Sequence, residues 1–181
     1  NGWADALWTQ GEKFGTIGAK KAGRVYEITT HRAEAYSPDS RKPEVKFSDA
    51  IDADLSRRDF TVNAMALELT GSAPSLIDPF NGATDLIARV LRTPLSPEES
   101  FNDDPLRMLR AARFIAGLNL TPDPALVAAV KNMATRLDIV SRERIQAELD
   151  RLLVVDHPTA GLWFLVETGL ATQFFPELPE M

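Results

Sequence analysis

Three short stretches hold side chains whose types and spacing could do chemistry. The first, Arg57 to Leu67 (RRDFTVNAMAL), sets two arginines beside Asp59 and places Asn63 four residues further on. On a helix beginning near Asp59, Asp59 and Asn63 share a face. Arginine suits phosphate and a carboxylate suits a ribose hydroxyl, so Arg57, Arg58, Asp59 and Asn63 together fit a nucleoside triphosphate. On spacing alone the plainer reading, a helix-capping aspartate with solvated arginines, is the stronger.

The second stretch is Asp103 to Phe114, DDPLRMLRAARF. Pro105 predicts a helix start with Asp104 at the N-cap, and Arg107, Arg110 and Arg113 then form a tilted basic stripe. Capping by Asp104, dipole complementation by Asp103 and solvated arginines would explain the pattern simply. The spacing also allows a carboxylate and a guanidinium side by side, one accepting and one donating. Cytosine and adenine each present an amino donor next to a ring-nitrogen acceptor, so one Asp–Arg pair can hold either. Guanine and uracil present the reverse order, and mismatched buried groups make rejection strong. The third stretch, RVYEITTHR, carries Glu27 on an expected strand. That carboxylate could join others around Mg²⁺, although an exposed edge-strand glutamate is the simpler account. Asp52-Ala53-Asp54 has a metal-like D-x-D spacing but lies in a polar stretch without a strand or glycine turn ahead of it, and is read as an acidic loop.

The elements that must position these residues divide the chain. The first hundred residues predict mixed α/β structure: a helix end over Asp5 to Thr9, a strand over Lys13 to Ile17, a turn at Lys20 to Gly23, and a strand over Arg24 to Arg32. Residues 33–51 read as a loop, Phe60 to Leu69 as a helix followed by a short extended stretch, and Asp78 to Gly82 as a turn. Thr93 to Ser100, with two prolines, reads as a linker. Helices follow over Pro105 to Ala116, Pro124 to Met133, Arg142 to Leu153 and Pro158 to Thr168, with Ser141 as an N-cap and Gly117 and Gly169 as stops.

Composition bounds the possibilities. The chain has 181 residues, 44% hydrophobic and 25% charged, which excludes wholesale disorder. It has no cysteine and only two histidines, His31 and His157, so thiol catalysis, disulfide scaffolds and histidine-rich metal clusters are excluded. No apolar run reaches the length of a membrane span, and Asn1 to Asp5 lacks the order of a signal peptide; a cytoplasmic globular protein is the expectation. The net charge is −6, yet residues 101–151 carry +1 while 152–181 carry −4. A polyanion site is therefore expected around the arginines of the middle.

In order and spacing, RRDFTVNAMAL, LIDPFNGATDL, DDPLRMLRAARF and SRERIQAELDRLL resemble the successive motifs of bacterial class II tRNA nucleotidyltransferases, the CCA-adding enzymes, and the related bacterial poly(A) polymerases. The likeness covers roughly residues 24 to 153. It implies an α/β (α+β) fold: part of a polymerase-β-like nucleotidyltransferase head with a mixed sheet over 1–92, a linker over 93–100, an all-helical neck over 101–154, and the start of a helical body over 155–181. Arg58, Asp59 and Asn63 match the motif that holds triphosphate and ribose. Asp78, Gly82 and Asp85 match a hinge segment. Asp104 and Arg107 match the protein template for the incoming base, Arg110 would face nucleotide phosphate or RNA, and Glu27 looks like the third carboxylate of the family's metal site. Asp103 stands where the family usually has glutamate, and in this likeness its shorter carboxylate orients Arg107 as part of the nucleotide site. Ser141 to Leu153 matches the helix that buttresses the template helix. The implied activity is transfer of CMP and AMP from CTP and ATP to the tRNA 3′ end with Mg²⁺. The alternatives are poly(A) addition and a non-catalytic helical module binding RNA through Arg107, Arg110 and Arg113. The family's glycine-rich segment and metal D-x-D do not occur upstream of Glu27, so the chain is expected to be a middle fragment, inactive alone.

Overall fold

Turn chemistry and alternation shape the first part of the chain. Strands β1 (Ala6–Trp8), β2 (Thr16–Lys21) and β3 (Arg24–Thr29) form an antiparallel sheet in that order. The β2–β3 hairpin closes through Ala22 and Gly23, both at positive φ, the backbone that matches strand twist in a two-residue turn. Gly18 in β2 lies directly against Trp8, where a Cβ would meet the indole at 1.9 Å. A second antiparallel pair joins β4 (Arg32–Ala35) and β5 (Glu44–Phe47), with Arg32 opposite Phe47. This computed structural model describes residues 2–10, 12, 15–30, 32–35, 44–47 and 51–177. They divide between two compact units, Asn1–Asp54 and Leu55–Met181.

Several expectations for this unit are corrected. Ala6–Trp8 is a strand and not a helix end, because its backbone pairs with residues 18–20. The strand expected over Lys13 to Ile17 runs over Thr16–Lys21, and Lys13 and Phe14 lie outside the described residues. The long strand ends at Thr29, with Arg32 opening β4 and His31 outside the described residues. The loop expected over 33–51 contains most of β4 and all of β5; residues 36–43 and 48–50 lie outside the described residues. Asp52 and Asp54 belong to the first turn of a helix, α1 (Ile51–Ser56), where carboxylates complement the helix dipole.

The second unit begins within that helix. A single 3-10 turn, Thr61–Asn63, follows, then β6 (Ala66–Glu68) pairs antiparallel with β7 (Ser75–Ile77). Sequence predicts a helix followed by a short extended stretch over Phe60 to Leu69; the extended stretch is β6, and tertiary partners hold the helical part to a single 3-10 turn. The Thr61 N–H donates to the Arg92 carbonyl at 2.9 Å, its hydroxyl donates to Asp85 at 2.8 Å, and Leu67 pairs across to Leu76.

Next come α2 (Gly82–Ala88), β8 (Val90–Leu91), α3 (Pro97–Asp103), α4 (Leu106–Leu118), β9 (Thr121–Pro122), α5 (Pro124–Met133), α6 (Arg142–Leu153) and α7 (Thr159–Glu167). β8 and β9 pair in parallel. The stretch expected as a linker turns helical at Pro97. Ser96 and Glu99 close a reciprocal capping box and Pro97 takes the first helical position, so the second proline starts a helix. α4 ends on Asn119 in the left-handed region, with Gly117 still inside the helix, while Gly169 does stop α7 at a φ of +73°. The bounds of α5 and α6 agree with expectation, and Ser141 caps α6.

The apolar face of α4 carries the core of this unit. Met108, Leu109, Ala111 and Ala112 are fully buried against Phe60, Leu91, Phe101, Leu126, Leu152 and Leu165. The Phe60 and Phe114 rings pack tilted at 55° to each other, 5.1 Å between centroids. α7 crosses α4 so closely that a Cβ on Gly161 would stand 2.4 Å from the Ala112 carbonyl. This anchorage fixes the opposite, arginine-bearing face of α4 relative to the turn after α1. Among the described residues no helix is long and apolar enough to cross a membrane.

Candidate nucleotide-binding site

The polar face of α4 and the segment between α1 and the 3-10 turn enclose a pocket of about 490 Å³. Arg57, Arg58, Asp59, Asn63, Asp104, Leu106, Arg107, Arg110 and Arg144 line it. Five arginines against two carboxylates make it cationic within an acidic chain.

Each lining residue is held by its neighbours. The Asp59 Oδ1 accepts from the Phe60 N–H at 2.9 Å and from the Asn63 amide at 3.2 Å. Its Oδ2 accepts both Nε and Nη2 of Arg110, at 3.0 and 2.5 Å. Asp59 is thus nearly buried and four times hydrogen-bonded, which fixes its direction. Arg110 also points Nη1 toward Glu148 at 3.7 Å. Glu148, on α6, is fully buried; it accepts from Arg113, and from Arg151 at 3.2 Å. Arg110 and Arg113 therefore do not form an open stripe: both are tied to buried carboxylates.

Asp104 stands one residue outside α4, whose N-cap is Pro105. Its Oδ1 still accepts the Leu106 N–H at 3.2 Å, and its Oδ2 accepts Arg144 at 2.7 Å. Each oxygen keeps a lone pair. Arg107 donates Nη1 to the Ser100 hydroxyl at 2.9 Å and to the Ser100 carbonyl at 3.3 Å, and Nη2 to the Arg57 carbonyl. Burial draws the Arg107 guanidinium below its ordinary value, opposed by the nearby carboxylates of Asp104, Asp103 and Asp59; it remains a cation at neutral pH.

The remaining expected residues lie elsewhere. Asp103 is not in the lining and pairs with Arg57 at 3.4 Å. Asp78, Gly82 and Asp85 gather where α2 meets the 3-10 turn. Asp78 accepts the Gly82 and Ala83 N–H groups at 2.6 and 2.9 Å. Asp85, buried, accepts from Thr61 and pairs with Arg92. Gly82 lies so near the turn that a Cβ would stand 2.0 Å from the Thr61 carbonyl. Glu27 belongs to the first unit, exposed on β3 opposite Gly18. Among the described residues no group of three or more histidine, cysteine, aspartate or glutamate side chains could hold a metal ion. They do not by themselves build the magnesium site that the resemblance implies.

Sequence reasoning missed Ser100, Arg144 and Glu148. Glu148 had a signal: it falls on the apolar stripe of Ile145, Leu149 and Leu152, where a carboxylate must find cations. Ser100 and Arg144 had none, since their partners lie 7 and 40 residues away.

Comparison with known proteins agrees with this architecture. The family described as the poly A polymerase head domain matches residues 1–92, and one described as a probable RNA and SrmB-binding site of polymerase A matches residues 119–181. The chain is 40% identical over 169 residues to a CCA-adding enzyme of Limosilactobacillus reuteri and 41% identical over 169 residues to one of Streptococcus gordonii. Each alignment covers 93% of this chain and 41% of the relative. The chain thus spans about two fifths of the length of these curated relatives. A crystal structure of the Bacillus stearothermophilus CCA-adding enzyme in complex with CTP superposes with a TM-score of 0.80 at 35% identity, covering 92% of this chain and 40% of that one. An apo CCA-adding enzyme superposes with a TM-score of 0.82 at 31% identity, covering 95% and 41%. The match over its first half settles the placement: the chain belongs to the poly A polymerase head-domain family.

Proposed function

We propose that this chain is the nucleotide-recognising part of a tRNA nucleotidyltransferase that adds CMP and AMP, from CTP and ATP, to the tRNA 3′ end. One observation carries the reading: Asp104 and Arg107 line the same cationic pocket as Arg58, Asp59, Asn63 and Arg110. Arginines there neutralise a triphosphate, and the Asp59 and Asn63 side chains border the place of a ribose hydroxyl. Asp104 offers acceptor lone pairs and Arg107 keeps its Nε–H for a ligand, the pattern that cytosine and adenine complement and that uracil and guanine do not. The names and CTP complex of the relatives support the same reading. Asp78, Gly82 and Asp85 serve in it as the joint between α2 and the ribose-side turn. Nucleotidyltransferases of this family generally use a divalent metal; magnesium is the ion in this reading, and Glu27 is the one carboxylate of this chain assigned to it. A cytoplasmic place of action goes with it and rests on composition.

The deciding experiment is calorimetric titration of the 181-residue chain with CTP, ATP, UTP and GTP. Binding of CTP and ATP with at least tenfold weaker UTP and GTP is expected; equal binding of all four removes the base template. Poly(A) addition, the second reading, would show ATP selected over CTP as well.

A further inference from the structure

The base-reading role of Arg107 depends on where its guanidinium is held, and the residue expected to hold it does not. The Asp103 carboxylate pairs with Arg57 at 3.4 Å, and no hydrogen bond joins it to Arg107. What touches the guanidinium is α3 and the residue that follows α1. Nη1 meets the Ser100 hydroxyl at 2.9 Å and the Ser100 carbonyl at 3.3 Å, while Nη2 meets the Arg57 carbonyl. Ser100 is buried, at 4% exposure, beside the fully buried Phe101. It lies in the last turn of a helix fixed at its other end by the Ser96–Glu99 capping box. The Ser100 carbonyl is among the carbonyls at the C-terminal end of that helix, so a cation there is favoured by the helix dipole as well. The arginine is therefore held by a hydroxyl and two carbonyls, all from the protein interior side.

From this geometry we infer that Ser100 is a positioning residue for nucleotide selection: its hydroxyl fixes the direction of the Arg107 guanidinium, and with it the choice of cytosine and adenine over uracil and guanine. The inference rests on the template reading above and adds to it a determinant that none of the family-like motifs contains. A hydroxyl is suited to this task because it constrains an arginine without neutralising it. A carboxylate in contact would compete with the ligand for the same N–H groups. Asp103, one methylene shorter than the glutamate usual at its place, is spent on Arg57, and Ser100 supplies the constraint instead.

The test is calorimetry on the 181-residue chain with CTP and UTP as probes, comparing wild type, Ser100→Ala and Asp103→Asn, with melting temperatures recorded. The readout is the ratio of the UTP to the CTP dissociation constant. Removing one hydrogen bond to a charged donor should reduce that ratio about tenfold in Ser100→Ala. Asp103→Asn should leave it within about twofold, because the amide oxygen still accepts from Arg57. A purely structural role for Ser100 would lower the melting temperature and weaken both nucleotides equally, leaving the ratio unchanged, and that result overturns the inference. A collapsed ratio in Asp103→Asn also overturns it, whether or not Ser100→Ala folds. Should the wild type itself fail to distinguish CTP from UTP, the template reading fails, which is a different outcome from either.

Discussion

At the scale of single residues, two of the pocket's carboxylates are each held by one of its arginines, Asp59 by Arg110 and Asp104 by Arg144, while Arg107 is held by uncharged groups. Arg107→Ala removes the donor of the proposed template pair and is expected to weaken CTP and ATP alike by about 10- to 100-fold, as for loss of a charged hydrogen-bond partner; titration with the two nucleotides checks it. Asp59 is already held within the chain by Arg110, Asn63 and the Phe60 N–H. Asp59→Ala should cost about 3 kcal/mol of stability by leaving Arg110 partly unpaired. If Asp59 also receives the ribose 2′-OH, the same variant lowers the preference for ATP over dATP; an unchanged ratio beside a lowered melting temperature would assign it to Arg110 alone. The site was legible in sequence where its residues lie three or four positions apart: Asp104 stands just ahead of α4 and Arg107 in its first turn, and Asp59 precedes the 3-10 turn that Asn63 ends. It was illegible where partners come from afar. No spacing rule joins Arg107 to Ser100 across the helix break at Asp104, or Asp104 to Arg144 on α6.

At the scale of elements the site depends on three helix ends and one close approach. The regular helices α5 and α6 were readable to the residue, because proline, serine and apolar periodicity agree there. α3 was missed because two prolines suggested a linker, although Ser-Pro-Glu-Glu spells a capped start. Ser96→Ala should cost about 1 kcal/mol, seen as a lower midpoint in urea unfolding. The helix expected after Phe60 failed for the opposite reason. Its sequence tolerates helix, but Thr61 is claimed by Asp85 and Arg92, which lie 24 and 31 residues further along. That claim requires α2 to approach within the space of a hydrogen atom at Gly82. Gly82→Ala must push the Thr61 carbonyl aside; a destabilisation of about 1–3 kcal/mol is expected. CTP affinity should fall with it, since Asn63 ends the displaced turn. Unfolding and titration of the same variant measure both.

At the scale of the whole molecule, charge is distributed against function's background: a chain of net −6 gathers five arginines around one pocket. Binding of a triphosphate there should weaken several-fold as ionic strength rises from 0.05 to 0.5 M, roughly the range over which the screening length falls through the pocket's own dimensions. An affinity indifferent to salt would speak against phosphate in that pocket. The α/β class was readable from alternation followed by helical periodicity, but the strand pairs around β4 and β5 were not, because a short hairpin in a polar stretch looks like a loop. The parallel bridge between β8 and β9 bears on how such proteins can be recombined. The Arg89 carbonyl accepts the Thr121 N–H at 2.7 Å, the Leu91 carbonyl accepts the Asp123 N–H at 3.0 Å, and Leu91 is fully buried in the helical core. Residue 92, where the family match to the head ends, is therefore a seam in ancestry and not in packing. Chimeras that trade modules at that seam inherit a strand cut from its partner and a core missing a leucine. Those spliced at residue 54, between the two units, carry the whole arginine-lined pocket across as one piece.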